Sequence, residues 1–297
     1  MRPDSHTKWC VVSPFRDSHL IVEALIYSAV AHIVPKTDKG LSVQMRFLAP
    51  LGLVAALMGS TAMAAEQATV AKEGLAADGP KSVVELFTSQ GCSSCPDADA
   101  LLGRLAGRND VLALSFPVDY WDYLGWKDTL ANPKFSERQK SYKGPLGVQM
   151  VYTPMMVVNG LTHVNGSDES KVQTAIEKSA NILAATRVPL RIAEKGSHIV
   201  IDAGPAQGGS VKEATIWLAQ LSKSVPVPIT RGENRGKTIT YHNVVRELMP
   251  VGLWTGQAIT VQLDRPSLAR PGAERCAAFL QQGRGGPIIG AAVLSEC

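Results

Sequence analysis

The sequence predicts an α/β domain with a helical, aromatic insertion, followed by an antiparallel β-sandwich. Three observations carry that prediction. Apolar runs on either side of a helical pattern give strand, helix and strand between residues 81 and 116. An Asn159-Gly160 pair between two short β-rich runs marks a hairpin, the strongest local signal of its kind. Beyond Arg187 the chain changes character, with short β-rich runs separated by Gly- and Pro-rich turns.

Lys81 to Phe87 reads as a buried strand whose interior charge is Glu85. Ser94 to Gly107 reads as a helix with Ala98, Leu101, Leu102 and Leu105 on one face. Pro96, Asp97 and Asp99 suit its first turn, where no amide partner is needed and acidic charge is favoured. Asn109-Asp110 turns the chain into Val111 to Phe116, so the unit is a right-handed βαβ crossover with parallel strands. Residues 119–148 form the insertion, dense in aromatics among charges, glycines and prolines. After the hairpin, Ser167 or Asp168 caps a last helix carrying Val172, Ala175, Ile176 and Leu183. The α/β domain therefore spans 81–186 and the sandwich 187–297. The sandwich strands fall at 188–192, 198–202, 214–221, 238–245, 258–263, 276–281 and 288–294.

The first 80 residues read differently. Met45-Arg46, the apolar run Phe47 to Met58 and the small residues ending at Ala64 stand in the order of a secretory signal peptide, residues 45–64. On this reading translation starts at Met45, residues 1–44 are an over-extended gene model, and 65–80 is a flexible leader. The alternative is a genuine N-terminal extension anchored by Leu20 to Val34, a stretch that Glu23 and His32 interrupt. The mature protein is expected to be periplasmic or secreted, with no stable membrane span after cleavage. A net charge of +4 and the absence of a basic run with interleaved aromatics give nucleic-acid binding no support.

Of five cysteines, four follow Ala64, an even number that suits an oxidising compartment and two disulfides. Cys276 and Cys297 fall opposite each other if Gly283 to Pro287 is a hairpin loop centred between Gly286 and Pro287, which makes that pair a structural clamp. Cys92 and Cys95 lie between a strand and a helix. There the helix N-terminus favours thiolate at the leading sulfur and the second sulfur is near enough to resolve a mixed disulfide. By spacing alone this pair is also half of a zinc site, but no second Cys or His pair at ligand spacing accompanies it. No metal or other cofactor is expected.

Strand, Cys92-x-x-Cys95 and helix, with Thr153-Pro154 at the start of a later β-rich run, resemble the thioredoxin superfamily. Longer motifs narrow the resemblance to DUF1223, a family of exported bacterial proteins. They are Val84 to Pro96, Val118 to Trp126, Tyr152-Thr153-Pro154, Arg231 to Gly236 and Tyr241 to Val245. The resemblance implies a thioredoxin-like domain followed by a β domain. It further implies that Thr153 and a cis-Pro154 present backbone to a substrate and that Glu85, beneath the cysteines, relays a proton. The family pattern commonly has His where this chain has Pro117 and Gln where it has Met155.

Tyr120, Trp121, Trp126 and Met155 are the candidate substrate contacts, the aromatics lining a groove or forming the insertion's own core. The function expected is thiol–disulfide exchange with a protein thiol, disulfide or redox partner. Two alternatives stand beside it. One is an exported binding module with a structural disulfide, and the other is Cu(I) handling by Cys92, Cys95, Met155 and Met156.

Overall fold

The computed structural model describes residues 79–208 and 212–297. The residues assigned to the signal peptide, to the leader up to residue 78 and to the N-terminal extension lie outside the described residues. The first half follows its local signals closely. Strand β1 (Ser82–Thr88) is buried along its whole length, as expected for a central strand covered on both faces. Helix α1 (Pro96–Ala106) and strand β2 (Val111–Pro117) complete the crossover, and β1 and β2 pair in parallel from Ser82↔Val111 to Thr88↔Pro117.

The insertion folds into a short 3-10 turn at Asp122–Leu124, helix α2 (Pro133–Ser141) and helix α3 (Lys143–Leu146). Strands β3 (Met155–Val158) and β4 (Thr162–Asn165) form the hairpin. Asn159 and Gly160 both have positive φ, 51° and 63°, which a two-residue type I′ turn requires. Helix α4 (Glu169–Leu183) is capped by Asp168, whose carboxylate accepts from the Lys171 amide.

The second half differs from a separate sandwich. Its strands are β5 (Leu190–Lys195), β6 (His198–Ala203), β7 (Ala214–Pro228), β8 (Thr238–Trp254), β9 (Ile259–Asp264), β10 (Arg275–Gln282) and β11 (Ile288–Leu294), with a four-residue helix α5 (Arg265–Leu268) before β10. Four of them join the first half in a single eight-stranded mixed sheet of order β11-β10-β7-β8-β2-β1-β3-β4. The junction is a parallel meeting of β2 and β8 at Ser115 and Val244. A second, antiparallel sheet of order β5-β6-β9 packs its apolar residues, among them Ile192, Ile199 and Ile201, with Ile216, Leu218, Ala278 and Leu280 of the large sheet. The boundary read at Arg187 is thus not a sheet boundary.

Strands β7 and β8 run well past the segments assigned to them, to 15 and 17 residues. The extension of the first carries Pro226 and Pro228. They are tolerated because β10 pairs only with Ala214 to Leu221, leaving the end of β7 as an edge on that side. The β10–β11 register also differs from the expected one. Cys276 lies opposite Leu294, not Cys297, because the hairpin closes tighter, with an irregularity after Leu280. Cys297 nevertheless bonds to Cys276, since the tail beyond β11 turns back onto β10.

Two cores position the site. On one face of β1 and β2, Val84, Leu86, Val111 and Ala113 pack with Leu101, Leu102 and Leu105 of α1 and Val172 and Ile176 of α4. On the other, Val83, Phe87, Leu114 and Phe116 pack with Phe135 and Tyr142 of the insertion and with Ala219, Leu221, Val245 and Phe279 of the second half.

Candidate functional site

The loop between β1 and α1 carries the cysteines. Cys92 and Cys95 are disulfide-bonded, with Cα atoms 5.4 Å apart. Cys95 is the N-cap residue of α1, and Pro96 opens the helix. Cys92 sits before the helix in two tight turns, its amide donating to Ser89 O at 3.1 Å and its carbonyl accepting from the Cys95 amide at 3.2 Å. The helix start therefore holds one sulfur and its preceding turn the other. Cys92 is 4% exposed and Cys95 0%, while Ser93 and Ser94 between them face solvent. The Ser94 hydroxyl is 3.5 Å from the Cys92 sulfur.

Three elements fasten this loop. The Gln90 amide donates to Asp128 Oδ2 at 2.8 Å, and the Gln90 side-chain oxygen accepts from Trp126 Nε1 at 2.8 Å, both partners from the insertion. The Ser167 hydroxyl donates to Ser94 O at 3.1 Å from the loop before α4. The β7–β8 hairpin tip supplies the fully buried Asn234, whose amide donates to Gln90 O at 2.9 Å and Cys92 O at 2.8 Å.

Thr153-Pro154 is a cis peptide. Trp121 connects it to the cysteine loop: its indole N–H donates to Thr153 Oγ1 at 2.7 Å, and its Cβ and carbonyl lie so close to Gly91 that a side chain there would meet them at 3.2–3.3 Å. Tyr123 stacks on Trp121 with ring centroids 6.3 Å apart and is 76% exposed. Of the candidate substrate contacts, Trp121 is thus set between the two loops, with Tyr123 outside it. Tyr120 turns instead to Gln139, donating to its side-chain oxygen at 3.2 Å, and Trp126 is held by Gln90.

Met155 corrects the expectation of a substrate contact: it is 0% exposed, its side chain packed in the core with Phe87 and Phe116. Met156 packs on the opposite face with Leu101 and Leu102. Adjacent residues of a strand point to opposite faces, so the two thioethers cannot converge on one copper ion with the cysteines.

Glu85 also lies elsewhere than a relay requires. Its carboxylate is fully buried on the sheet face away from α1, accepting from Arg138 Nε at 2.5 Å and from the Tyr142 hydroxyl. Arg138 in turn lies between Phe116, Tyr142, Trp217 and Phe279, its guanidinium 5.4–5.7 Å from the ring centroids. An acid fixed to a buried cation in an aromatic box is a structural ion pair.

A different acid is buried under the cysteines. Asp99, read from sequence only as an acidic residue suited to the first helical turn, is 2% exposed. Among the described residues, neither of its carboxyl oxygens has a hydrogen-bond partner. Thr88 lies beside it and favours its charged form, but the two groups fall outside hydrogen-bond geometry. Burial pushes the Asp99 carboxyl well above the usual carboxylate range, and the charge of Asp128 adds to that. Burial also pushes Asp128 up to about 6, against the hydrogen bonds it accepts from the amides of Gln90 and Leu130. The sequence held one sign of Asp99: four residues after Cys95 and three before Leu102, it continues the apolar face of α1.

Fold and site together describe a mixed α/β protein whose paired Cys-x-x-Cys opens the first helix of a large sheet. The chain belongs to DUF1223, a family described as proteins of unknown function, whose model matches residues 83–281. It is also similar to a protein of Agrobacterium tumefaciens solved by X-ray crystallography. That protein is 35% identical, with 73% of this chain and 94% of the other covered and a TM-score of 0.65. No curated protein matches the sequence. Among the described residues, no helix is long and apolar enough to cross a membrane.

Proposed function

We propose that this protein is a thioredoxin-like thiol–disulfide oxidoreductase of the periplasm or extracellular space, using Cys92 and Cys95. The observation that carries the reading is the disulfide at the head of α1, with exposed Ser93 and Ser94 between its sulfurs. A thiolate at this place faces the partial positive charge of the helix N-terminus, and the other sulfur is held to resolve a mixed disulfide. The Trp121–Tyr123 stack between the cysteine and Thr153 loops suits an apolar segment of a protein substrate.

The near-burial of Cys92 and the fastening of its loop favour a second reading, a binding module in which the disulfide is structural. The two separate experimentally. With Cys95→Ser expressed in the periplasm, the oxidoreductase leaves mixed disulfides through Cys92, visible on a non-reducing gel and lost in the Cys92→Ser,Cys95→Ser double variant. No captured partner, together with a disulfide potential below about −300 mV, sinks the oxidoreductase reading in favour of the binding module.

A further inference from the structure

Beneath the cysteine loop, four polar oxygens lack a hydrogen-bond partner among the described residues: both carboxyl oxygens of Asp99, the Thr88 hydroxyl and the Tyr241 hydroxyl. Asp99 belongs to α1, Thr88 ends β1 and Tyr241 comes from β8 in the second half. Asp128, from the insertion, is close enough to raise the pKa of Asp99, and both carboxyls raise that of Tyr241. Asp122 stands behind Asp128, its carboxylate accepting from the Asp128 amide at 3.0 Å. Among the described residues, no basic side chain hydrogen-bonds Asp99 or Asp128. Arg104 of the helix pairs with Glu169, and the His242 ring of β8 lies against Gly103.

Among the described residues no cation or hydrogen-bond donor pairs with this buried carboxyl, which favours the protonated form of Asp99. It sits one helical turn below Cys95, its amide donating to Cys95 O at 3.0 Å, and the two side chains share a helix face. Cys95 is equally enclosed, and opening the disulfide by attack on Cys92 would leave a buried thiolate there, one helical turn from the acid.

The geometry points to Asp99 as the group that delivers a proton to the Cys95 sulfur as the disulfide opens, which suits the protein to accepting electrons from substrate dithiols. This rests on the oxidoreductase reading. A substrate thiolate attacks the Cys92 sulfur, an S–S bond forms to the substrate, the Cys92–Cys95 bond breaks, and its electron pair leaves on Cys95. The proton of Asp99 passes to that sulfur, leaving a Cys95 thiol and an Asp99 carboxylate. The second substrate thiol then loses its proton to water and attacks the mixed disulfide. The substrate leaves as a disulfide, oxidised by two electrons, and Cys92 remains as a thiolate at the helix N-terminus. Asp99 recovers its proton from water afterwards.

The test uses the full chain reduced by dithiothreitol, followed by tryptophan fluorescence, with rates corrected for the thiolate fraction of the reagent. In the wild type the corrected rate falls as pH rises through the ionisation of Asp99. In Asp99→Asn it is at least tenfold lower at neutral pH, and the fall is absent, since a positioned general acid contributes about 10²–10⁴-fold. Redox-difference infrared spectra of the unaltered protein give a readout that does not depend on the variant folding. Reduction should shift the protonated-carboxyl C=O band of Asp99, whose neighbour changes from a disulfide to a thiol. An unchanged pH profile in a folded Asp99→Asn, or a carboxyl region that reduction leaves untouched, overturns the proposal while leaving the oxidoreductase reading intact. A wild-type disulfide inert to dithiols overturns both.

Discussion

Three acidic residues of similar appearance in the sequence have different fates in the fold. Glu85 is neutralised by Arg138, Asp128 accepts amide hydrogen bonds, and Asp99 has neither. The environment, not the residue type, decides which of them can hold a proton near the cysteines. The Glu85–Arg138 pair makes a sharp test. Removing one partner of a buried ion pair costs about 3–5 kcal/mol, because the other charge is left uncompensated. Arg138→Met should therefore lower the urea midpoint strongly, and Glu85→Gln,Arg138→Met together should recover much of the loss. Neither change should alter the rate at which dithiothreitol opens Cys92–Cys95 once folded protein is compared with folded protein. A selective change in that rate and its pH profile in Glu85→Gln would restore Glu85 as the relay.

At the scale of elements, the cysteine loop is held from outside its own βαβ unit. The β7–β8 hairpin reaches across with Asn234, and the insertion does so with Asp128 and Trp126. Asn234→Ala leaves the carbonyls of Gln90 and Cys92 without their side-chain donor. An orphaned buried group costs about 1–3 kcal/mol. Loss of stability by that order in urea denaturation, with faster reduction of the Cys92–Cys95 disulfide, is the expected result. Unchanged reduction kinetics would mean that Asn234 does not restrain the loop. The Arg231 to Gly236 motif stood out in the sequence only by family resemblance. Its contact could not be read there, because it spans 142 residues between Asn234 and Cys92.

At the scale of the molecule, the eight-stranded sheet makes the two halves interdependent. Phe116 and Leu114 from the first half share a core with Ala219, Val245 and Phe279 from the second. A fragment of residues 79–187 would expose that face of β1 and β2. It should bind a hydrophobic dye and show no cooperative unfolding transition by calorimetry. A cooperative transition in that fragment would show that the first half folds alone and that the shared sheet is dispensable. The Cys276–Cys297 bond acts at the same scale, tying the chain end to β10 across a separation of 21 residues, a closure worth on the order of 3 kcal/mol.

By itself the sequence determined what depends on near neighbours. It gave the apolar runs of β1 and β2, the buried face of α1, the Asn159-Gly160 turn, the Asp168 cap and the Cys-x-x-Cys at a helix start. Each follows from periodicity, backbone preference or capping over a few residues. Tertiary structure alone decided that β8 would lie beside β2, that Asn234 would fasten the Cys92 loop, and that Arg138 would meet Glu85 while no described residue hydrogen-bonds the Asp99 carboxyl. Those outcomes depend on which distant side chains share a buried volume, and in that volume the energy of a charge is set by its partners.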